Sequence, residues 1–251
     1  MTIQDFFTEY PKVAVAFSGG VDSAYLLYAA KKYAKEVKAY YVCTAFQPEF
    51  EKNDAKRFAK EFEIDMTIIE KDILSSKEVV KNPPDRCYLC KKILFSAILE
   101  TAKKDGFPVL LDGTNASDDS ADRPGMKALC ELQVLSPLRI CGLKKDRIRS
   151  LSRQAGLFTW NKPSYACLAT RIATGKEITK SDLEKTERAE AYLGALGFSD
   201  FRVRLLGDSA KIQVTENQLE LLVQKRNEIL KELKQHYKSV LLDLEVRNVI
   251  D

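Results

Sequence analysis

Ser18-Gly19-Gly20-Val21-Asp22-Ser23 follows a short apolar run and precedes a stretch of helical periodicity. Such a turn suits phosphate. Gly19 and Gly20 let the backbone turn sharply and bring its amide hydrogens against phosphate oxygens. The following helix adds its positive N-terminal end. Ser18 and Ser23 can donate hydroxyl hydrogen bonds to the same oxygens. Asp22 repels phosphate, so it is expected to hold Mg2+ or to brace the loop. A plain turn with Asp22 and Ser23 as N-caps is the bland alternative. The strand before and the helix after favour the phosphate site. The loop lacks the lysine of a Walker motif, which argues against kinase or motor chemistry.

The second group of reactive side chains is sulfur. Cys87 and Cys90 have ligand spacing and open a predicted helix, where the helix N-terminus favours thiolates. Cys167 is a third candidate, on the irregular segment Pro163 to Arg171. Cys43, Cys130 and Cys141 read as small buried hydrophobes. Zinc wants four ligands in a structural site, and the single histidine, His236, reads as a surface residue. A 4Fe-4S cluster on three cysteines would leave one iron open to an outside ligand, whereas four-cysteine ligation is the common arrangement. Arg202 and Arg204 alternate with Val203, so both guanidinium groups point to one strand face. Two forks on one face suit bidentate phosphate binding. Asn115, Asp118 and Asp119 sit at a strand end, where turns use the same residue types.

The elements that position these residues alternate. Strands are expected over 13–17, 37–42, 66–69 and 109–111. Helices are expected over 23–33, 51–62, 87–104 and 144–154. This predicts an α/β fold, a parallel sheet with helices on both faces. Ligands of such sheets bind at the carboxyl ends of the strands, where Ser18 to Ser23, Asp112 to Asp119 and the loop before Cys87 are expected to fall. After a cysteine-bearing junction over 161–175 the pattern changes. A capping box at Thr179 to Asp182 opens a helix, strands follow over 201–206 and 210–214, then a long helix over 217–234 and a strand over 240–246. The expected organisation is thus a nucleotide domain over 1–160 and a small C-terminal α+β domain over 176–251.

Composition narrows the setting. The chain has 251 residues and a net charge of +4, too mild to announce a nucleic-acid partner. The first ten residues carry no basic n-region, and no apolar run approaches the ~20 residues of a membrane span. A cytoplasmic, reducing location is expected, so the six cysteines are not read as disulfides.

Ser-Gly-Gly-x-Asp-Ser after a first strand resembles the PP-loop of ATP pyrophosphatases. Asn82-Pro83-Pro84-Asp85-Arg86-Cys87-Tyr88-Leu89-Cys90-Lys91, Asp112 to Asp118, Arg123-Pro124-Gly125, Pro163 to Arg171 and Phe201 to Arg204 together resemble the LarE family, in order and over nearly the whole chain. The family comprises pyridinium biscarboxylate mononucleotide sulfurtransferases. The resemblance implies an adenine nucleotide alpha hydrolase-like fold and a small-molecule mononucleotide substrate. It implies that ATP adenylates a substrate carboxylate with release of pyrophosphate, and that sulfur then displaces AMP. The thiocarboxylate product later ligates nickel in lactate racemase and similar enzymes. In single-cysteine members the cysteine at the position of Cys167 gives up its sulfur. Cys87 and Cys90 beside Cys167 resemble the branch that carries a 4Fe-4S cluster, which leaves two donors open, a cluster-bound sulfide or Cys167 itself. By position the resemblance assigns Lys91 and Arg171 to the reacting site and Glu190 to metal or phosphate. It also implies a homo-oligomer. The rival readings are a tRNA thiolase, an amidating ligase and a non-catalytic ATP sensor. Salt-sensitive tRNA binding would mark the first, full activity of Cys87→Ser the second, and absence of pyrophosphate release the third.

Overall fold

The computed structural model describes residues 1–118 and 124–247. Asp119 and Arg123, singled out in the sequence, lie outside the described residues. In chain order the elements are α1 (Ile3–Glu9), β1 (Lys12–Ala16), α2 (Val21–Tyr33), β2 (Glu36–Cys43), α3 (Glu49–Glu61), β3 (Met66–Glu70), α4 (Lys77–Val80), α5 (Arg86–Lys104), β4 (Leu110–Leu111), α6 (Pro124–Glu131), α7 (Pro137–Ile140) and α8 (Lys145–Gln154). Then come α9 (Lys180–Ala195), β5 (Arg202–Leu206), β6 (Ser209–Gln213), α10 (Leu219–Gln224), α11 (Arg226–Leu233) and β7 (Ser239–Leu242). The chain forms two compact units, Met1–Asp72 with Asp85–Lys162, and Ile73–Pro84 with Pro163–Asp251. Segment 73–84 thus groups with the later residues.

In the first unit four parallel strands run in the order β3-β2-β1-β4. Strand β1 shows why its apolar run is continuous. Val13 and Val15 join the apolar cluster that holds residues of α1, α2, α3 and α8. Ala14 between them joins the cluster holding Ile98 and Ala102 of α5 and Leu129 of α6. All three side chains are fully buried, so both faces of the strand are covered by helices, as parallel sheets require. The order reverses direction beside β1, and the loops after β1 and β4 flank that switch point, where α/β sheets bind ligands.

In the second unit β5 pairs antiparallel with β6, and β6 parallel with β7. Its core joins Ala189 and Leu193 of α9 to Val203, Ile212 and Ile229. Thr179 caps α9 through the amide of Asp182 at 3.1 Å. The single helix expected over 217–234 is two, interrupted at Lys225, whose amide bonds back to the Leu221 carbonyl. The last strand stops at Leu242 instead of 246. Cys130 is exposed, and Cys43 and Cys141 are half-buried, so none of the three is the fully buried hydrophobe expected.

Candidate functional site: a phosphate loop and a braced cysteine loop

The first unit carries the phosphate loop. Gly19 has φ of +77°, a left-handed conformation that glycine adopts without steric cost. Ser23 Oγ accepts from the Ser18 amide at 3.3 Å, lies 3.0 Å from Ser18 Oγ and donates to the Gly20 carbonyl at 3.2 Å. The loop is therefore closed on itself before any nucleotide arrives. Asp22 lies in the first turn of α2. Its Oδ2 accepts from Lys145 Nζ at 2.5 Å, while its buried Oδ1 has no hydrogen-bond partner. Burial raises the Asp22 carboxyl above the usual aspartate range, Lys145 and Arg149 pull it down, and Asp118 adds to the rise.

A second lysine reaches the same loop. Lys162 Nζ donates to the Gly19 carbonyl at 3.2 Å and to Asp54 Oδ2 at 2.6 Å. Neither Lys145 nor Lys162 was legible as a site residue, because each lies more than 120 positions from the loop it serves. The fold supplies from a distance the charge that a Walker loop carries within itself.

The loop after β4 closes the other side of the switch point. Asp112 is buried and takes hydroxyl hydrogen bonds from Thr114 and, at 2.5 Å, from Ser136. The Asn115 amide donates to Asp118 Oδ2 at 3.0 Å, and Asn115 Oδ1 accepts from the Ser117 amide at 2.7 Å. Ser117 Oγ accepts from the Lys145 amide at 3.0 Å, which ties this loop to the start of α8. A Cβ on Gly113 would lie 2.8 Å from the backbone nitrogen of Ser23 and 3.0 Å from its Cα. Only glycine lets the two loops approach that closely.

Cys87 and Cys90 occupy the first turns of α5, where residues three apart share a helix face. Cys87 is exposed and accepts from Arg86 Nη2 at 3.7 Å; Cys90 is half-buried. The stem of Lys91 lies against Gly125, where a Cβ would meet Lys91 Cδ at 2.8 Å.

In the second unit Cys167 precedes a short 3-10 turn, Leu168–Arg171. Arg171 is 2% exposed. Its Nε donates to Glu190 Oε1 at 2.6 Å, its Nη2 to Oε2 at 3.1 Å and its Nη1 to Thr170 Oγ1 at 2.6 Å. Burial opposes the Arg171 charge, but the Glu190 carboxylate more than offsets this and raises the guanidinium. Glu190 also accepts from Tyr165 Oη at 2.5 Å and from the Val203 amide at 2.9 Å. Each of its oxygens thus takes two donors, which fills a carboxylate and makes it a bracing group.

Arg202 and Arg204 both turn to the cysteine loop. Arg202 Nη2 donates to the Ser164 carbonyl at 2.6 Å and its Nη1 to the Phe201 carbonyl at 2.6 Å. Arg204 Nη1 donates to the Thr170 carbonyl at 3.2 Å. Burial, with Arg171 and Arg247 nearby, pushes the Arg202 guanidinium down to about 10.

Residues 8–118 match the asparagine synthase family. The chain is 33% identical to an uncharacterized protein of Synechocystis over 88% of its own length and 83% of the relative's. It is 31% identical to an uncharacterized protein of Methanocaldococcus jannaschii over 94% of this chain and 90% of that one. It is 32% identical to the pyridinium-3,5-bisthiocarboxylic acid mononucleotide synthase of Lactiplantibacillus plantarum, over 82% of this chain and 75% of the relative. The chain belongs to the LarE family. Residues 8–118 carry its PP-loop ATP pyrophosphatase-family domain.

The residues of this LarE-family chain can be weighed against the groups its family implies. The buried, unpartnered Asp22 Oδ1 beside the phosphate loop fits a divalent cation, a hard oxygen ligand for a hard ion. Cys87 and Cys90 present two soft donors on one helix face, which fits two ligands of an iron–sulfur cluster. Cys167 belongs to the other unit. Among the described residues no group of three or more His, Cys, Asp or Glu side chains is arranged to hold a metal ion. No described helix is long and apolar enough to cross a membrane.

Proposed function

We propose that this protein is a cytoplasmic ATP-dependent sulfurtransferase acting on pyridinium-3,5-biscarboxylic acid mononucleotide. It adenylates a substrate carboxylate and converts it to a thiocarboxylate, whose sulfur ligates nickel in a nickel-pincer cofactor. The observation that supports this most is the closed phosphate loop flanked by Asp22, Lys145 and Lys162 in a LarE-family chain. The loop amides and the hydroxyls of Ser18 and Ser23 take the leaving pyrophosphate. Lys145 and Lys162 exchange their carboxylate partners for phosphate oxygens, each a charge-assisted contact. Asp22 would hold Mg2+, which neutralises phosphate charge. Lys91 would balance the charge of the substrate, and Arg171, already neutralised by Glu190, would act through the cysteine loop that it braces. Cys87, Cys90 and Cys167 would hold a 4Fe-4S cluster, which when bound supplies an open iron and labile sulfide.

Incubated with ATP, Mg2+ and the biscarboxylate mononucleotide, the protein should release pyrophosphate and yield a product with oxygen replaced by sulfur, read by mass spectrometry. Pyrophosphate release with tRNA but not with the mononucleotide would replace this substrate by a polymeric one.

Two predictions concern the same groups. Protein purified without oxygen and reconstituted should hold iron and acid-labile sulfide, and Cys87→Ser should lose both. A wild type that holds neither leaves Cys167 as a consumed donor, seen as a mass loss of one hydrogen sulfide after a turnover. The second prediction concerns pH. Asp22 binds Mg2+ only as carboxylate, and its carboxyl is raised by burial. Mg·ATP affinity should therefore fall as pH drops through that raised value, above the pH at which an ordinary aspartate protonates. Lys145→Met removes an opposing charge, so it should shift the fall to still higher pH and weaken ATP about tenfold. Lys162→Met should weaken ATP by a similar factor without moving the pH dependence. Calorimetric titration across pH checks both.

A further inference from the structure

The second unit holds an aromatic side chain in a setting that its exposed neighbours in the loop do not share. Tyr165 precedes Cys167 by two residues on the same irregular segment. Its hydroxyl donates to the buried Glu190 carboxylate at 2.5 Å. Two guanidinium groups lie over its ring, Arg171 at 4.7 Å and Arg202 at 5.3 Å from the centroid. Such cation–π contacts strengthen as the groups lose water, and both arginines are buried here. The backbone on either side is pinned too. Arg202 takes the Ser164 carbonyl, Arg204 takes the Thr170 carbonyl, and Thr170 Oγ1 donates to the Cys167 carbonyl at 2.8 Å.

We infer that Tyr165 is a positioning residue for Cys167: its ring and hydroxyl lock the loop from 164 to 170 onto the Arg171–Glu190 pair and present the thiol in one orientation. This rests on the reading of Cys167 as the residue that handles sulfur. A reacting group displaced by about 1 Å loses on the order of 100-fold in rate, so a locked loop matters to the reaction.

The test uses the metal-free protein of 251 residues and needs no turnover. Alkylation of Cys167 by iodoacetamide is followed by peptide mass spectrometry across pH, with Cys141 in the same digest as the internal reference. Tyr165→Phe keeps the ring over both guanidiniums and loses the hydroxyl; Tyr165→Leu loses both. Tyr165→Leu should change the Cys167 rate about tenfold and move its pH midpoint, Tyr165→Phe should do so less, and Cys141 should not respond. In turnover the same variants should lower kcat and spare the KM for ATP, because the phosphate loop belongs to the other unit. Variants that are folded by circular dichroism and alkylate Cys167 at the wild-type rate and midpoint overturn the inference. If Tyr165→Leu fails to fold, Tyr165→Phe decides by the same criterion. A responsive Cys167 in a protein that transfers no sulfur to the mononucleotide keeps the positioning role and removes the proposed substrate.

Discussion

Glu190→Ala should destabilise the second unit by about 3–5 kcal/mol, the cost of stranding one partner of a buried ion pair. Its partner Arg171 has a side chain 1% exposed and Glu190 one 5% exposed, so water cannot solvate the guanidinium in its place. The same truncation removes the carboxylate that the Tyr165 hydroxyl donates to and takes the acceptor from the buried Val203 amide. Each further buried polar group left without a partner costs about 1–3 kcal/mol where water cannot enter. Urea titration with amide exchange read at β5 and α9 measures the effect. Glu190→Gln should cost less, because an amide oxygen still accepts from two donors. A change below about 1 kcal/mol for Glu190→Ala, the range of an exposed pair, would mean that the unit does not depend on this acid.

Gly113→Ala should weaken ATP binding by an order of magnitude or more while the second unit keeps its stability. The methyl would meet backbone at Ser23, not the movable end of a side chain. Either the first turn of α2 or the loop after β4 must shift. Overpacking of this kind costs about 1–3 kcal/mol, and the displaced atoms are those that cradle phosphate. Calorimetric titration of ATP, beside a urea curve, separates the two effects. Unchanged ATP affinity would show that the first turn of α2 absorbs the methyl without moving the loop.

The phosphate loop was legible because its signal is local. A strand, two glycines, an aspartate and a helix follow one another within some twenty residues, and the structure keeps that order. The parallel sheet was legible for the same reason, since Val13-Ala14-Val15 is apolar on both faces. Helix α1 was missed. Its capping box, Thr2 with Asp5, lies in a stretch read only for the absence of targeting features, although Phe6 and Phe7 are buried. Lys145, Lys162 and Asp54 were illegible in principle: an ordinary surface lysine and a lysine brought to a loop from far along the chain have the same sequence signature. Glu190 shows the opposite failure. A lone acid on an amphipathic helix reads as solvated or functional, and only the tertiary fold reveals four donors converging on it. Arg202 and Arg204 were expected to share one face and bind phosphate there; both guanidinium groups donate to carbonyls of the cysteine loop. What occupies that face, the carbonyls of the cysteine loop, is a property of the assembled unit.

The grouping of residues 73–84 with the second unit bears on how the polypeptide is made. Asn82 is fully buried at φ of +55°. Its side-chain nitrogen donates to the carbonyls of Ile172 and Ala173, some 90 positions later, and its own carbonyl accepts from Gly175. The amide of Ile178 likewise donates to the Val80 carbonyl. During translation this strip emerges long before its partners. At about 5–20 residues per second, the ribosome leaves it without them for roughly 5–20 s, ample time for a chaperone to engage it. A fragment begun at residue 163 would lack the same strip, so expressing the second unit by itself calls for a peptide covering 73–84 in trans or for a circular permutant that joins the two pieces.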